Sequence, residues 1–217
     1  MKFLLVGITG KMGTGKSLFS SFLRKRGIPV YSSDKRGTIL MNTINVIKKN
    51  IIKYFGENSY YKKEKEGEKK INKYYLSKIV FNDPNALKLL CSIIHPWISI
   101  DFKKWIFSII QQNKILPFLF IKESALLFES GSYKECNFII NIISPKKKMI
   151  KRIIKRDNLK EYQIINRLKN QISNKKRKEK SNIIIRNYSS IDYLQNQENK
   201  IFKFLEKLYT NQYGKRR

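Results

Sequence analysis

The stretch GITGKMGTGKS, residues 7–17, restricts this chain more than any other part of it. Gly10, four further residues and then Gly15-Lys16-Ser17 reproduce the spacing of a phosphate-binding loop, the Walker A pattern. The residue types follow from the chemistry. Backbone N–H groups wrap a phosphate chain only where the main chain comes close to the oxygens, and glycine permits both that approach and a positive φ. The loop must leave a strand and open a helix, whose N-terminus favours negative charge. Both flanks comply. KFLLVGI before the loop is a continuous apolar run, as in a strand buried on both faces. SLFSSFLRKRG after it sets Leu18, Phe19, Phe22 and Leu23 on one helix face and ends at Gly27. A glycine-rich turn of purely structural use would need neither flank. The sequence therefore predicts a nucleoside triphosphate site, with Lys16 as a point charge on the β/γ-phosphates and the Ser17 hydroxyl as a Mg²⁺ ligand.

The rest of the chain alternates short apolar runs with helical stretches. GIPVYSSD predicts a second strand over residues 28–31. Asp34 follows just past its carboxyl end, where open parallel sheets bind their ligands. Asp34 there suits chemistry, and Asp34 or Ser33 also suits the N-cap of the next helix. YYKKEKEGEKK, residues 60–70, reads as a solvated loop or hairpin tip. Residues 76–113 read as helical, with Pro84 in a first turn and Pro96 at a boundary or kink. His95, the only histidine, fits a packed core position as well as a substrate contact. Further strands are predicted over residues 117–121, 138–143 and 182–187, with Glu123 and Glu129 following the first of them. Residues 145–180 read as helical, with a basic face bearing Arg152, Arg156, Arg167 and Arg177, and the C-terminal stretch as an amphipathic helix. Strands separated by helices along the whole length predict an α/β fold built on a doubly wound parallel sheet.

A length of 217 residues with 41% hydrophobic content suits one globular domain with room for an inserted subdomain. The formal net charge of +30 invites a nucleic-acid reading. The residues carrying the charge argue otherwise: 36 lysines stand against 10 arginines, alongside 33 isoleucines, 19 asparagines and two alanines. That is the signature of A/T-rich codons, whereas specific readers of nucleic acid lean on arginine. No specific nucleic-acid partner is expected, only weak and salt-sensitive polyanion binding. No apolar run approaches the ~20 residues that span a bilayer, so no membrane association is expected. The N-terminal strand leaves no room for a signal peptide, and Cys91 and Cys136 lack metal-ligand spacing, which suits a reducing cytoplasm.

The phosphate loop, Asp34, IIHPWI, ESALLFES, KRIIKRD and NRLKNQISNKKRKEKSNIIIRN occur in an order that resembles the dephospho-CoA kinases, over residues 2–187. The combination of ALLFE with a downstream RD and RLxxQ is more specific than the loop. The resemblance implies a P-loop kinase-like parallel sheet flanked by helices, forming a single domain over residues 1–217. Within it, residues 60–113 would form a helical substrate-binding insertion and residues 152–180 a helical lid. It implies ATP-dependent phosphorylation of the ribose 3′-hydroxyl of dephospho-CoA, with ATP and Mg²⁺, by a cytoplasmic protein expected to be a monomer. ATP would be held by Gly10, Lys11, Met12, Gly13, Thr14, Gly15, Lys16, Ser17, Leu18 and Arg156. Asp34 would be the general base, and Lys16 and Arg152 would serve catalysis. His95, Arg167 and Gln171 would meet substrate or belong to the lid. The chain departs from the family pattern in three places. Ser32 stands where Asp is common, Leu18 where Thr follows the loop serine, and Glu123 to Glu129 reads ESALLFE in place of DxPLLFE. Losing the hydroxyl at Leu18 removes a hydrogen bond worth ~1–2 kcal/mol. Two other readings are weighed against this one: a P-loop kinase acting on a nucleoside or nucleotide, and a nucleic-acid-binding NTPase.

Overall fold

A computed structural model describes residues 3–62, 69–113 and 117–214. In chain order these form β1 (Leu4–Thr9), α1 (Lys16–Lys25), β2 (Val30–Ser32), α2 (Ser33–Thr43), α3 (Asn45–Phe55), β3 (Tyr60–Lys62) and β4 (Lys69–Ile71). There follow α4 (Lys73–Val80), α5 (Pro84–Gln112), β5 (Leu119–Glu123) and β6 (Phe138–Ile143). The chain ends with α6 (Lys146–Asp157), α7 (Glu161–Lys169), α8 (Asn174–Glu179), β7 (Ile183–Arg186) and α9 (Ile191–Tyr213).

Two compact units result: residues 1–32 with 109–217, and residues 33–108. The first holds a five-stranded sheet in the order β2-β5-β1-β6-β7, parallel at every pairing. Its three inner strands, β1, β5 and β6, are buried on both faces, which is why they read as largely apolar runs rather than alternating ones. Leu4, Val6 and Ile8 of β1 meet Leu119 and Ile121 of β5 and Ile140 and Ile142 of β6 in the main core, which Phe19, Leu23, Leu194 and Leu205 close from α1 and α9. Each such side chain contributes about 1.5–3 kcal/mol by leaving water. On the opposite face Ile139 packs with Leu127 and Phe128. The phosphate loop leaves the central strand at its carboxyl end, with β5 on one side and β6 on the other. This is where open parallel sheets form ligand crevices.

The second unit comprises α2 to α4, most of α5 and the β3–β4 hairpin. The hairpin is antiparallel, pairing Tyr60 with Ile71 and Lys62 with Lys69. Residues 63–68 of the expected loop or hairpin tip lie outside the described residues. Ile47, Ile51, Phe55, Leu76, Val80, Ile94, Ile98 and Phe102 are buried. Arg36 reaches from α2 to Asp101 on α5, with Nε 2.8 Å from the carboxylate.

Three local expectations are corrected. Pro96 is not a boundary, because α5 runs through it. Ile94, Ile98 and Phe102 are buried on either side of it, and their burial outweighs the ~3 kcal/mol penalty of an internal proline. Residues 145–180 are three helices rather than one, broken at Asn158, whose φ of 50° continues no helix, and again before the Ser173 cap. Ser33 is not an N-cap: it is the first helical residue of α2, and its buried hydroxyl has no hydrogen-bond partner.

Candidate active site

The loop between β1 and α1 is built around positive-φ glycines. At Gly10 a Cβ would come within 2.3 Å of the Ile142 carbonyl oxygen, and at Gly15, with φ of 102°, within 2.4 Å of Asn187 Nδ2. No side chain fits at either position. Lys16 opens α1 and is buried, with its ammonium donating to the Lys11 carbonyl at 3.3 Å. Thr14 turns inward and donates its hydroxyl to the same carbonyl at 2.9 Å. Asn187, just past β7, donates Nδ2 to the Thr14 carbonyl at 2.8 Å. Leu18 is partly exposed and carries no polar group.

Ser17 donates its hydroxyl to Glu123 Oε1 at 2.7 Å. Glu123 ends β5 and is buried, so a carboxylate and a hydroxyl stand side by side at the start of α1. Two adjacent hard oxygens suit Mg²⁺, which takes one or two protein ligands and completes its octahedron with water and phosphate oxygens. No group of three or more His, Cys, Asp or Glu capable of caging a metal exists among the described residues. The Ser17–Glu123 pair fits a Mg²⁺ ion that arrives with the nucleotide and takes most of its ligands from phosphate and water.

Cations gather around the loop. Arg152 on α6 donates Nη1 to the Gly13 carbonyl and to Ser144 Oγ, both at 3.2 Å. Lys11 donates to the Leu168 carbonyl at 3.1 Å. Burial is the main cause holding the Lys11 ammonium below the ordinary lysine value. Arg177 and Lys146 act the same way, and Glu129 opposes them. A recess of about 290 Å³ beside the loop is lined by Lys11, Lys146 and Lys169 over a floor of Met149 and Leu168.

Gln171 lies across the first half of the loop. Its Oε1 accepts from the Met12 N–H at 3.1 Å, and its Nε2 donates to the Ala125 carbonyl at 3.4 Å. Arg156 forms a bidentate pair with Asp157, both bonds 2.8 Å. The bond from Arg156 is the largest cause holding the Asp157 carboxyl below its usual value. Burial pulls the Arg167 guanidinium down from the ordinary arginine value. Among the predicted residues the first unit thus brings together the loop, Arg152 and Gln171, while Arg156 is turned to its own neighbour. Asp34 and His95 belong to the second unit. Asp34 is exposed in the first turn of α2, and His95 is half-buried within α5.

Two residues escaped assignment from sequence. Glu123 reads from sequence only as an acidic residue after a strand, because that strand's place beside β1 is set by the tertiary fold. Arg177 was placed on a basic helical face, yet it is fully buried. The detectable signal was its type: it is the one arginine in the run NKKRKEK.

A parallel sheet in this order, with a glycine-rich phosphate loop leaving its central strand and a buried lysine opening the next helix, defines a P-loop kinase. Sequence comparison carries the assignment further. A sequence model of the dephospho-CoA kinase family matches residues 4–193. The dephospho-CoA kinase of Fusobacterium nucleatum is 32% identical over 194 residues, 89% of this chain and 94% of that one. That of Bacteroides fragilis is 31% identical over 182 residues, covering 84% and 83%. The solved dephospho-CoA kinase from Campylobacter jejuni superposes with a TM-score of 0.62 at 28% identity, covering 94% of this chain and 97% of that one. The chain belongs to the dephospho-CoA kinase family.

Proposed function

We propose that the protein transfers the γ-phosphoryl group of ATP to the ribose 3′-hydroxyl of dephospho-CoA, giving coenzyme A. The observation that carries this reading is the family match over residues 4–193, which spans both units and includes the intact phosphate loop. A kinase acting on another nucleoside or nucleotide would share the loop but not that match.

Phosphoryl transfer needs alignment, charge balance and exclusion of water more than covalent participation by the protein. In this reading the loop amides and Lys16 hold the triphosphate. Asp34 accepts a hydrogen bond from the 3′-hydroxyl and takes its proton as the new P–O bond forms. Arg152 balances charge that shifts toward the β-phosphate, with Arg156 and Arg167 contributing from the lid, residues 152–180. Ser17 and Glu123 are the side chains that would hold Mg²⁺, which when bound would supply charge neutralisation on the triphosphate. The helical unit would bind dephospho-CoA, with His95 as a contact. Cys91 and Cys136, neither of them in a disulfide, support a reducing cytoplasmic setting. We further assign a monomer without a specific nucleic-acid partner. No helix among the described residues is long and apolar enough to cross a membrane.

The test is ADP release in a coupled assay, with dephospho-CoA set against a panel of nucleosides and nucleoside monophosphates. Selective turnover of dephospho-CoA supports the reading. Equal or faster turnover of a nucleotide would replace it.

A further inference from the structure

Arg177 is an expensive residue to bury. A guanidinium taken out of water needs a full set of acceptors, and an apolar side chain of similar size usually stabilises as well or better. Its side chain is fully buried on α8. Nη1 donates to Thr9 Oγ1 at 2.8 Å, and Nη2 to the Ala125 carbonyl at 3.0 Å and to Glu129 Oε1 at 2.8 Å. Nε donates to the Ile172 carbonyl at 3.4 Å. Burial pulls the guanidinium below the ordinary arginine value, and Glu129 offsets part of that.

The identity of these partners matters more than their number. Thr9 is the last residue of β1 and immediately precedes Gly10, where the phosphate loop begins. Ala125 lies two residues beyond Glu123, the carboxylate that receives Ser17. Glu129 Oε1 also accepts from the Ile172 N–H at 2.9 Å, next to Gln171. Gln171 in turn takes the Met12 N–H and shares the Ala125 carbonyl with Arg177. One side chain therefore ties together the start of the phosphate loop, the turn after the Glu123 strand and the segment lying over Met12. The fork geometry of arginine suits this, since a lysine ammonium cannot donate in three fixed coplanar directions.

We infer that Arg177 is a positioning residue for phosphoryl transfer: through Thr9, Ala125 and Glu129 it fixes the first half of the phosphate loop, 9–12, relative to Glu123. It touches no reacting atom. Its effect falls on how well the loop amides and the Ser17–Glu123 pair are aligned before reaction, and misalignment of that kind lowers turnover more than ground-state binding. The inference rests on the kinase reading for its kinetic consequence but not for its structural one.

The test compares Arg177→Met, Arg177→Lys and Thr9→Val with the wild-type full chain. Thermal unfolding, turnover with dephospho-CoA, KM for ATP and hydrogen exchange over residues 9–14 are measured on one preparation of each. Arg177→Met is expected to fold, with kcat at least ~10-fold lower and KM for ATP within ~3-fold. Exchange at residues 9–14 should be ~10-fold faster while β5 and β6 stay unchanged. Arg177→Lys should recover part of kcat, because it keeps the charge but loses the fork. Arg177→Met with kcat within two-fold of wild type, or with exchange accelerated evenly across the sheet, would overturn the inference. Should Arg177→Met not fold, Thr9→Val decides by the same criteria, since it deletes one acceptor and leaves the Glu129 pair intact. Wild-type protein inactive toward dephospho-CoA would overturn the proposed function instead, and the exchange data would still decide the role of Arg177.

Discussion

The two units bury polar groups very differently. Of the fifteen buried polar or charged residues among those described, thirteen lie in the sheet unit and two, Ser33 and Ser59, in the helical unit. In the helical unit neither hydroxyl has a hydrogen-bond partner. Among the described buried residues of the sheet unit, only Ser20 and Asn141 have unpartnered side-chain atoms. The others form contacts such as Ser17–Glu123, Asn187–Thr14 and Arg177–Thr9, between residues 106, 173 and 168 positions apart. Burying polar groups costs free energy unless each finds a partner, so a satisfied network concentrated in one unit marks the place where geometry has been fixed. The helical unit buries an apolar core, and its polar ties include Arg36–Asp101 and Tyr60 to the Met41 carbonyl.

The largest effect should come from the helical unit, where a single exposed carboxylate is assigned chemistry. Asp34→Asn preserves shape and helix preference but removes the base. It should lower kcat by roughly 10²–10⁴ while thermal unfolding is unchanged and ATP affinity stays within a few-fold. Near wild-type turnover would show that the helical unit supplies no base and that the chemistry belongs wholly to the sheet unit.

Lys16→Ala breaks the comparison from the other side. Removing the buried ammonium from the loop should cut kcat by at least ~10² in a protein that remains folded. Its loss should extend to ATP handling, which Asp34→Asn spares. Isothermal titration with ATP on both variants reads that contrast directly.

Glu123→Gln is smaller and more selective. It keeps an acceptor for Ser17 but removes the charge, so the Mg²⁺ concentration for half-maximal turnover should rise by about 10-fold or more. An unchanged Mg²⁺ titration would reduce Glu123 to a structural partner of Ser17.

The smallest effect concerns stability. Burial raises the Cys136 thiol to about 12 in the folded protein, whereas an unfolded chain releases that proton near ~8.5. Between these values the unfolded state holds fewer protons, so unfolding becomes easier as pH rises. The contribution is whole below ~8.5 and falls by about 1 kcal/mol per pH unit above it. Urea midpoints from pH 8 to 10 should therefore drop more steeply for wild type than for Cys136→Ala. Parallel slopes would show that the fold does not hold the Cys136 thiol in its neutral form.

Legibility followed the range of the interactions. The phosphate loop was readable because its function needs contiguous residues: glycines, lysine and serine at fixed spacing between an apolar run and a helical face. The strand at 138–143 was readable for the same reason, being a local run of apolar and β-branched residues, whereas the hairpin strands at 60–62 and 69–71 were not, since they flank a mixed-charge stretch that reads as a solvated loop or hairpin tip. Pro96 misled as a boundary, because the penalty of an internal proline is local while the burial that overrides it comes from contacts elsewhere in the fold.

Arg177 shows the boundary most clearly. By sequence it sits in a run of lysines and belongs on a solvated face. By structure it is the most deeply buried charge near the loop, because α8 turns it toward Thr9, Ala125 and Glu129. The sequence alone determined the nucleotide loop and the alternation of strands and helices, carried by residues near one another in the chain, and the likeness to dephospho-CoA kinases, carried by short local motifs and their order along residues 2–187. Only the tertiary structure decided which carboxylate faces Ser17, which amide covers Met12 and which arginine is buried. Those choices depend on the parallel sheet bringing β1, β5 and β6 side by side, and no local pattern encodes that adjacency.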